Sequence, residues 1–420
     1  MSETPAPPRA AARPAWERIV AWCTYDFANS VYSAVIPAAV FGAYYTQTVV
    51  GNGDGRGDFW WGIGLAVSAG MVAISSPIMG AIADMSGARR LLLTAYTLLS
   101  VLTVTLFTTI EVGDVAWGCL LFIVANFAME GAIVFYNAYL PDLVPANRIG
   151  RVSAWGFGFG YVGSMVGLAT ALPLVLVGRH DDVWLLVAIF FGGFGLPALH
   201  FLGTGGRREM SVPSAARHGW REVVKLLKEL AGHVQLKRFL IAYFVYVNGV
   251  NAAIYYSGPI ARQTFGLELA DVVKLFFLVQ GSALIGALLL AKPTDSWGPK
   301  RVVMLALTLW ATTGTIFVFA ESLTLFWTAC VIAGLGLGSV QSASRAFMAS
   351  FVPSGREDEF FGLYALCGKT AAPLGTLVFA VVSSSGAGQR AAIACLVFFF
   401  FAGLVLVARV QGGGPTQEAT

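Results

Sequence analysis

Twelve apolar runs, each long enough to cross a lipid bilayer as a helix, dominate this sequence. A hydrocarbon core of about 30 Å needs about 20 mostly apolar residues per spanning helix. The runs cover residues 20–49, 59–83, 91–110, 115–140, 152–177, 183–202, 239–260, 272–290, 302–320, 323–351, 360–382 and 391–410. This pattern predicts an all-α membrane protein with twelve transmembrane helices.

The composition restricts the partners that such a chain can have. Apolar residues make up 57% of the chain and charged residues only 12%, against about 25% charged residues in soluble proteins. The basic residues do not form a patch interleaved with aromatic residues, so we expect no nucleic-acid partner. The five cysteines show no C-x-x-C spacing and the four histidines do not pair at ligand spacing. We therefore expect neither a metal nor another cofactor.

The basic residues follow the spans unevenly, and this predicts how the chain is oriented. One set of connections contains the pairs Arg89 and Arg90, Arg148 and Arg151, and Lys300 and Arg301. The positive-inside rule places these connections and both termini in the cytoplasm. No short apolar segment with a cleavage site precedes the first span, which we expect to remain an uncleaved helix. An excess of arginine over lysine favours a GC-rich bacterial source and thus the plasma (inner) membrane.

A short charged motif occurs twice and divides the chain into two halves. Asp84, Gly87, Arg89 and Arg90 form D-x-x-G-x-R-R, and the same skeleton returns 211 residues later as Asp295, Gly298, Lys300 and Arg301. Each half has six spans, so the two copies enter the membrane from the same side as a parallel repeat. The predicted divisions are a cytoplasmic tail (1–18), a first six-helix bundle (19–202), a cytoplasmic linker (203–238), a second six-helix bundle (239–410) and a second cytoplasmic tail (411–420).

The linker carries an amphipathic pattern. Val224, Leu227 and Leu230 recur at helical spacing, with Lys225 and Lys228 among the cations on the other face. We predict a helix along the inner leaflet, where its cations meet anionic lipid. It either only connects the two halves or also serves regulation or partner binding.

Several motifs resemble those of a known transporter family. The sequence G-x-x-x-D-x-x-G-x-R-R between the second and third spans resembles the signature of the major facilitator superfamily. More closely, four blocks are similar to the vacuolar amino-acid effluxer (autophagy-permease) branch and its bacterial relatives. These blocks are Tyr25–Ser30, Phe135–Pro141, Gln341–Arg345, and Gly355–Gly362 with Gly368 and Lys369. The resemblance implies a secondary transporter with two bundles related by a pseudo-two-fold axis along the membrane normal. The eukaryotic founder of the branch is associated with amino-acid export from the vacuole.

The resemblance also implies a role for the repeated motif as a cytoplasmic latch that holds one access state. The implied gating residues are Asp84, Gly87, Arg89, Arg90, Asp295, Gly298 and Arg301. The alternative is that the basic residues only anchor the loops on the cytoplasmic side.

Four charged residues lie within the predicted spans: Asp26, Glu130, Arg345 and Lys369. An ionisable group at the bilayer centre costs at least about 2.5 kcal/mol, so each should face a cavity or a charged partner. With their polar neighbours, the candidate substrate-binding and proton-binding residues are Asp26, Asn29, Tyr25, Glu130, Asn137, Gln341, Arg345 and Lys369. Acids in the first half and cations in the second suit a zwitterion or an anionic group. An ion-pair lock between the halves, without substrate contact, is the competing interpretation.

We interpret the chain as a secondary active transporter that moves a small polar metabolite by alternating access. An amino acid is one candidate substrate, and coupling to protons through Asp26 or Glu130 is one hypothesis. No P-loop is present, so ATP is not expected as the direct driver; no nucleophile, base and metal cluster indicates an enzyme. The partners expected are a small-molecule substrate, the lipid bilayer and protons, with a monomer as the functional unit. Two alternatives stay open: a non-transporting receptor or scaffold, and an exporter of an amphipathic compound.

Overall fold

The computed structural model describes residues 15–51, 56–203, 210–265, 269–319, 322–382 and 388–412. Most of the predicted N-terminal tail (1–18) and C-terminal tail (411–420) lies outside these residues.

Twelve helices that overlap the predicted spans lie in the described part of the chain, which contains no strand. They are α1 (Ala15–Ser33), α2 (Arg56–Ser86), α3 (Arg89–Thr105), α4 (Val115–Ala138), α5 (Ile149–Leu176), α6 (His180–Phe201), α7 (Val234–Phe265), α8 (Leu269–Leu289), α9 (Pro299–Phe319), α10 (Leu323–Ala349), α11 (Glu357–Val382) and α12 (Gly388–Ala408). Each overlaps one predicted span, so the prediction of twelve transmembrane helices is confirmed. Short helical segments extend α1 to Val50.

The helices form two six-helix bundles, α1–α6 and α7–α12. In the first bundle α1 packs on α5 and α6; in the second, α7 packs on the equivalent helices α11 and α12. The bundles meet where α2 packs on α11 and where α5 packs on α8. In the repeat, α2 corresponds to α8 and α5 corresponds to α11. The two contacts between the bundles are thus related to each other by the pseudo-two-fold axis.

Glycines let helices of one bundle approach each other backbone to backbone. A Cβ at Gly163 of α5 would lie less than 3.0 Å from the carbonyl oxygen of Phe27 on α1. In the second bundle, a Cβ at Gly375 of α11 would meet the carbonyl oxygen of Asn248 on α7 in the same way. Small residues permit this packing between membrane helices, and here it holds α1 against α5 and α7 against α11.

Both copies of the repeated motif make the same tight turn. Gly87, between α2 and α3, has a φ angle of 64°, and Gly298, before α9, has a φ angle of 89°. Glycine adopts this left-handed conformation without the steric cost that a Cβ imposes. The surface that carries these two turns is called the latch side below.

The predicted amphipathic linker helix is present as Val212–Glu229 and packs against α2. Leu226 is buried, whereas Val224 and Leu227 are exposed, so the linker helix turns only part of its apolar surface toward the protein. At its end, Arg356 donates a hydrogen bond of 2.8 Å to the Glu229 carboxylate. This contact holds the pKa of Glu229 below its ordinary value. The linker helix is therefore tied to the loop that precedes α11.

Candidate functional site

A cavity of about 860 Å³ lies between the two bundles. Its polar lining includes Asp26 and Asn29 of α1, Asn137 of α4, and Gln341 and Arg345 of α10. It also reaches residues at the helix ends opposite the latch side, including Tyr44, Gln47 and His180. The cavity therefore extends from the middle of the bundles toward the surface opposite the latch side.

Asp26 and Arg345 form an ion pair between the bundles on the wall of this cavity. Arg345 Nη1 lies 3.3 Å from Asp26 Oδ2, and the two residues are 3% and 6% exposed. The hydroxyl of Tyr136 donates to the same carboxylate oxygen at 2.9 Å. Asn29 Nδ2 donates to the other oxygen, Oδ1, at 3.1 Å. Both oxygens of the buried carboxylate therefore have partners, as a buried charge requires.

The guanidinium of Arg345 is fixed by groups from the first bundle. Nε and Nη2 donate to the hydroxyl and the carbonyl oxygen of Ser153, at 3.0 and 2.6 Å. Nη1 also donates to Asn137 Oδ1 at 3.3 Å. The guanidinium carbon lies 4.0 Å from the ring centroid of Phe157 and 4.7 Å from that of Trp22. A planar guanidinium fits this combination of directed donors and ring faces, which an ammonium group would not.

Glu130 of α4 and Lys369 of α11 form a second ion pair between the bundles. Their side chains are 24% and 31% exposed, and Glu130 also lines the cavity. The structure thus pairs both predicted acids with both predicted cations. Such pairs are expected from the interpretation of the sequence in which ion pairs lock the two halves together.

The two remaining predicted residues lie in different surroundings. Gln341 lines the cavity and accepts a hydrogen bond of 2.7 Å from the hydroxyl of Tyr161. Tyr25 is fully buried, and its hydroxyl is 2.8 Å from that of Thr97 on α3. Its ring stacks on Tyr136, with centroids 5.2 Å apart. Tyr25 therefore contributes to the site by packing against Tyr136.

On the latch side, Asp84 of α2 caps a helix of the other bundle. Its carboxylate accepts hydrogen bonds from the backbone N–H groups of Glu359, at 2.8 Å, and Asp358, at 3.3 Å. These N–H groups belong to the first turn of α11 and have no partner within that helix. A carboxylate there also interacts favourably with the positive end of the helix dipole.

Arg89 is fully buried beside this cap and gathers four carboxylates. Its nearest contacts are with Asp358 and Asp142, both at 2.6 Å. Glu357 lies at 3.1 Å and Asp84 at 3.6 Å. These acids come from α2, from the segment after α4 and from α11, so one guanidinium joins the two bundles. Neighbouring Arg90 is exposed.

The second copy of the motif makes the equivalent cap. Asp295 Oδ1 accepts a hydrogen bond of 3.1 Å from the backbone N–H of Arg151, in the first turn of α5. Burial raises the pKa of Asp295, and hydrogen bonds from the Arg151 and Gly150 backbones oppose this rise. The cations of this copy differ from Arg89, because Lys300 donates to the carbonyl of Ala408 at 2.7 Å and Arg301 is exposed.

Comparison with known proteins identifies the family of this chain. The sequence profile described as "Vacuole effluxer Atg22 like" matches residues 63–419. The chain belongs to this family. Among curated relatives, the MFS-type transporter YxiO of Bacillus subtilis (strain 168) is 26% identical over 412 residues, covering 95% of each chain. Autophagy-related protein 22 of Candida glabrata is 24% identical over 185 residues, which are 40% of this chain and 34% of that protein.

Solved structures show that the Atg22-like chain has the major facilitator fold. The crystal structure of the human organic anion transporter MFSD10 (TETRAN) superimposes with a TM-score of 0.75 at 16% identity. The superposition covers 95% of this chain and 100% of that one. This fold, together with membership of the Atg22-like family and the full-length similarity to an MFS-type relative, makes the chain an integral membrane protein of the major facilitator superfamily, as its sequence motifs predicted.

Several residues of the Atg22-like site were not predicted from the sequence. Asp142, Glu357 and Asp358 surround Arg89, and Ser153 holds Arg345. For Glu357 and Asp358 a signal existed, because they open α11 within one of the family blocks. For Ser153 there was none, because the group that binds most closely is a backbone carbonyl.

Proposed function

We propose that this chain is a secondary active transporter of a small zwitterionic or anionic metabolite, with an amino acid as one candidate. The observation that carries the proposal is the Asp26–Arg345 pair on the wall of the cavity between the bundles. A major facilitator transporter needs a site that both bundles share, and this pair joins α1 to α10 there. We also propose that one copy of the chain is the functional unit.

The orientation is part of the proposal. The positive-inside rule supports a cytoplasmic latch side, with both termini and the linker at that surface. The described state is then closed toward the cytoplasm by Asp84 and Arg89 and has its cavity toward the outside. A bacterial plasma membrane is the expected location, and the full-length similarity to a Bacillus subtilis protein supports it.

Substrate recognition would occur by partner exchange at Arg345. A substrate carboxylate can take the place of the Asp26 oxygen at Nη1, while a substrate ammonium group binds the released Asp26. Breaking a buried ion pair without replacing a partner leaves an uncompensated charge and costs about 3–5 kcal/mol. A substrate that supplies the missing charge avoids this cost, which favours molecules that carry a carboxylate or both charges.

Alternating access would follow from changes at two levels. Substrate binding alters the Asp26–Arg345 contact between the bundles, and on the latch side the α11 cap at Asp84 must open before the cytoplasmic surface is exposed. Rocking of one bundle against the other around a central site accounts for both. A proton on Asp26 or Glu130 could replace the cation as partner, and this is the basis of the proposed proton coupling.

Thermal unfolding of the full chain in lipid nanodiscs, screened against amino acids and small organic acids, tests the binding part of the proposal. A ligand at 100 times its Kd stabilises the folded state by about 2.7 kcal/mol. We expect a stabilising amino acid or carboxylate whose effect is lost in Arg345→Lys. A screen in which no carboxylate-bearing compound stabilises the wild type would refute it. A ligand that binds without exchange across proteoliposome membranes would instead favour the receptor or scaffold alternative.

A further inference from the structure

The second bundle contains another cavity, of about 120 Å³, that the proposed transport cycle does not use. It lies among α7, α8, α9, α10 and α12, and its walls are mostly apolar side chains such as Leu275, Phe317 and Phe326. An apolar cavity of about 150 Å³ in another protein stays dry and binds benzene. The cavity of this chain therefore has the size and surface for an aromatic ring or a short branched alkyl group.

Two residues that line this cavity each have a buried polar atom with no hydrogen-bond partner within the described residues. The atoms are the indole Nε1 of Trp310 and the hydroxyl of Thr313. The two residues are 5% and 1% exposed, and both line the cavity from α9. Buried polar groups in proteins are nearly always hydrogen-bonded. An unpartnered N–H and an unpartnered O–H on two residues that line an apolar cavity fit a ligand that carries a hydrogen-bond acceptor.

The small cavity adjoins the large one between the bundles. Ile254, Phe276, Gln280 and Leu337 line both spaces. Leu337 precedes Arg345 by eight residues on α10, which is about 12 Å along the helix axis. A single elongated molecule could therefore place one end at Arg345 and the other end beyond this shared wall.

At the equivalent place in the first bundle, aromatic rings of the described residues pack closely on one another. Phe41 packs on Phe107 with ring centroids 4.3 Å apart, and Trp61 packs on Phe122, also at 4.3 Å. Cys330 stands 208 residues after Phe122, the same offset that separates Pro145 from Pro353 in the repeat. At this position the second bundle has a small side chain where the first has a ring. The cavity is thus a departure from the repeat.

We propose that this cavity is a side pocket of the transport site, which receives the apolar end of an amphipathic organic anion. The acceptor on that end binds Trp310 and Thr313, and the anionic head binds Arg345. The inference rests on the proposed function for the head group and adds the substrate class: an elongated molecule with a carboxylate at one end and a ring or branched alkyl group at the other.

Thermal unfolding of the full chain in nanodiscs with three related acids tests the side pocket. The acids are butyrate, 4-phenylbutyrate and 4-(4-hydroxyphenyl)butyrate, which share a head and differ at the far end. Burying the ring should tighten the apparent Kd about tenfold or more relative to butyrate, and the hydroxyl should tighten it again. Cys330→Phe, which restores the ring of the first bundle, should abolish the gain from the ring. Thr313→Val should remove only the gain from the hydroxyl.

The matched control is Thr312→Val, an exposed position on the same helix outside the side pocket, which should keep both gains. Ala333→Val narrows the side pocket from α10 and serves as a second filling variant if Cys330→Phe does not fold. Equal stabilisation of the wild type by all three acids would overturn the inference. No stabilisation by any of them would overturn it as well. A ring gain that survives in the filling variants would also overturn it.

The two proposals fail separately. Arg345-dependent exchange of amino acids without any ring gain would leave the transport proposal intact and refute the side pocket. A ring gain that disappears in Cys330→Phe, in a protein that exchanges no solute, would establish the side pocket as a ligand site and refute transport.

Discussion

The backbone carbonyl of Asp358 on α11 lies directly against Gly80 on α2. A Cβ at Gly80 would lie less than 3.0 Å from that carbonyl oxygen. The reciprocal contact exists as well, because a Cβ at Gly362 of α11 would lie 2.6 Å from the carbonyl oxygen of Ser76. The two bundles therefore touch backbone to backbone on the latch side. A change that adds one methyl group there acts directly on the contact between the bundles.

Gly80→Ala should shift the chain away from the described state toward one that is open on the latch side. The added Cβ cannot be accommodated while α2 and α11 touch this closely, because the atoms nearest to it belong to Asp358 and Glu359 of α11. Double electron–electron resonance between spin labels at the latch-side ends of α2 and α11 should report longer distances. Gly70→Ala, on the same helix but facing open space, should leave the distances unchanged. Unchanged distances in Gly80→Ala would contradict this role of the contact.

Arg89→Gln should open the latch side more strongly than any change at Arg90. Without the guanidinium, the carboxylates of Asp84, Asp142, Glu357 and Asp358 face one another with no cation among them. Repulsion between like charges then favours separation of the bundles. A cysteine introduced at buried Ser86, in a chain whose five native cysteines are replaced, should react faster with a membrane-impermeant maleimide. Arg90→Gln is the matched control, and equal rates in the two variants would exclude a latch centred on Arg89.

Glu130 and Lys369 should be energetically coupled. Glu130→Gln or Lys369→Met alone leaves one charge unpaired within the membrane, whereas the double variant leaves none. Both side chains are about a quarter to a third exposed, so screening reduces the effect, and we expect a coupling of about 1 kcal/mol. Thermal unfolding of the four proteins in nanodiscs measures it. Additive single effects would mean that the pair contributes nothing as a pair.

Proton coupling, if Asp26 or Glu130 carries it, should be separable from transport itself. Asp26→Asn and Glu130→Gln remove the titrating group and keep the shape of the side chain. At least one of them should abolish the stimulation of uptake by a pH gradient and still allow exchange of substrate at equal pH on both sides. If both variants respond to the gradient as the wild type does, neither residue carries the coupling proton.

The sequence predicted most of the fold because its signals are local. The length of each apolar run determines a spanning helix, and Gly87 and Gly298 mark turns that only glycine makes without strain. The four charges within the spans were also recognisable, because a charge in a membrane is too costly to be incidental.

The partners of these charges were less accessible from sequence. Asp26 and Arg345 are 319 residues apart, and Lys369 could have paired with either acid. Three-dimensional packing decides which acid pairs with which cation. The backbone carbonyl of Ser153 also holds Arg345, and a backbone carbonyl has no sequence signature. Tyr25 shows the same limit, because its position beside Asp26 did not reveal that its hydroxyl faces Thr97.

The central claim is that Arg345 binds the transported solute, and counterflow tests it most directly. Proteoliposomes loaded with a mixture of unlabelled amino acids and small organic acids would be diluted into the same mixture with radiolabel. The account predicts saturable uptake by the wild type, retained in Arg90→Gln and reduced at least about tenfold in Arg345→Lys, which keeps the charge but loses the directed contacts to Ser153 and the ring stacking. Saturable uptake that is equal in the wild type and in Arg345→Lys would contradict it.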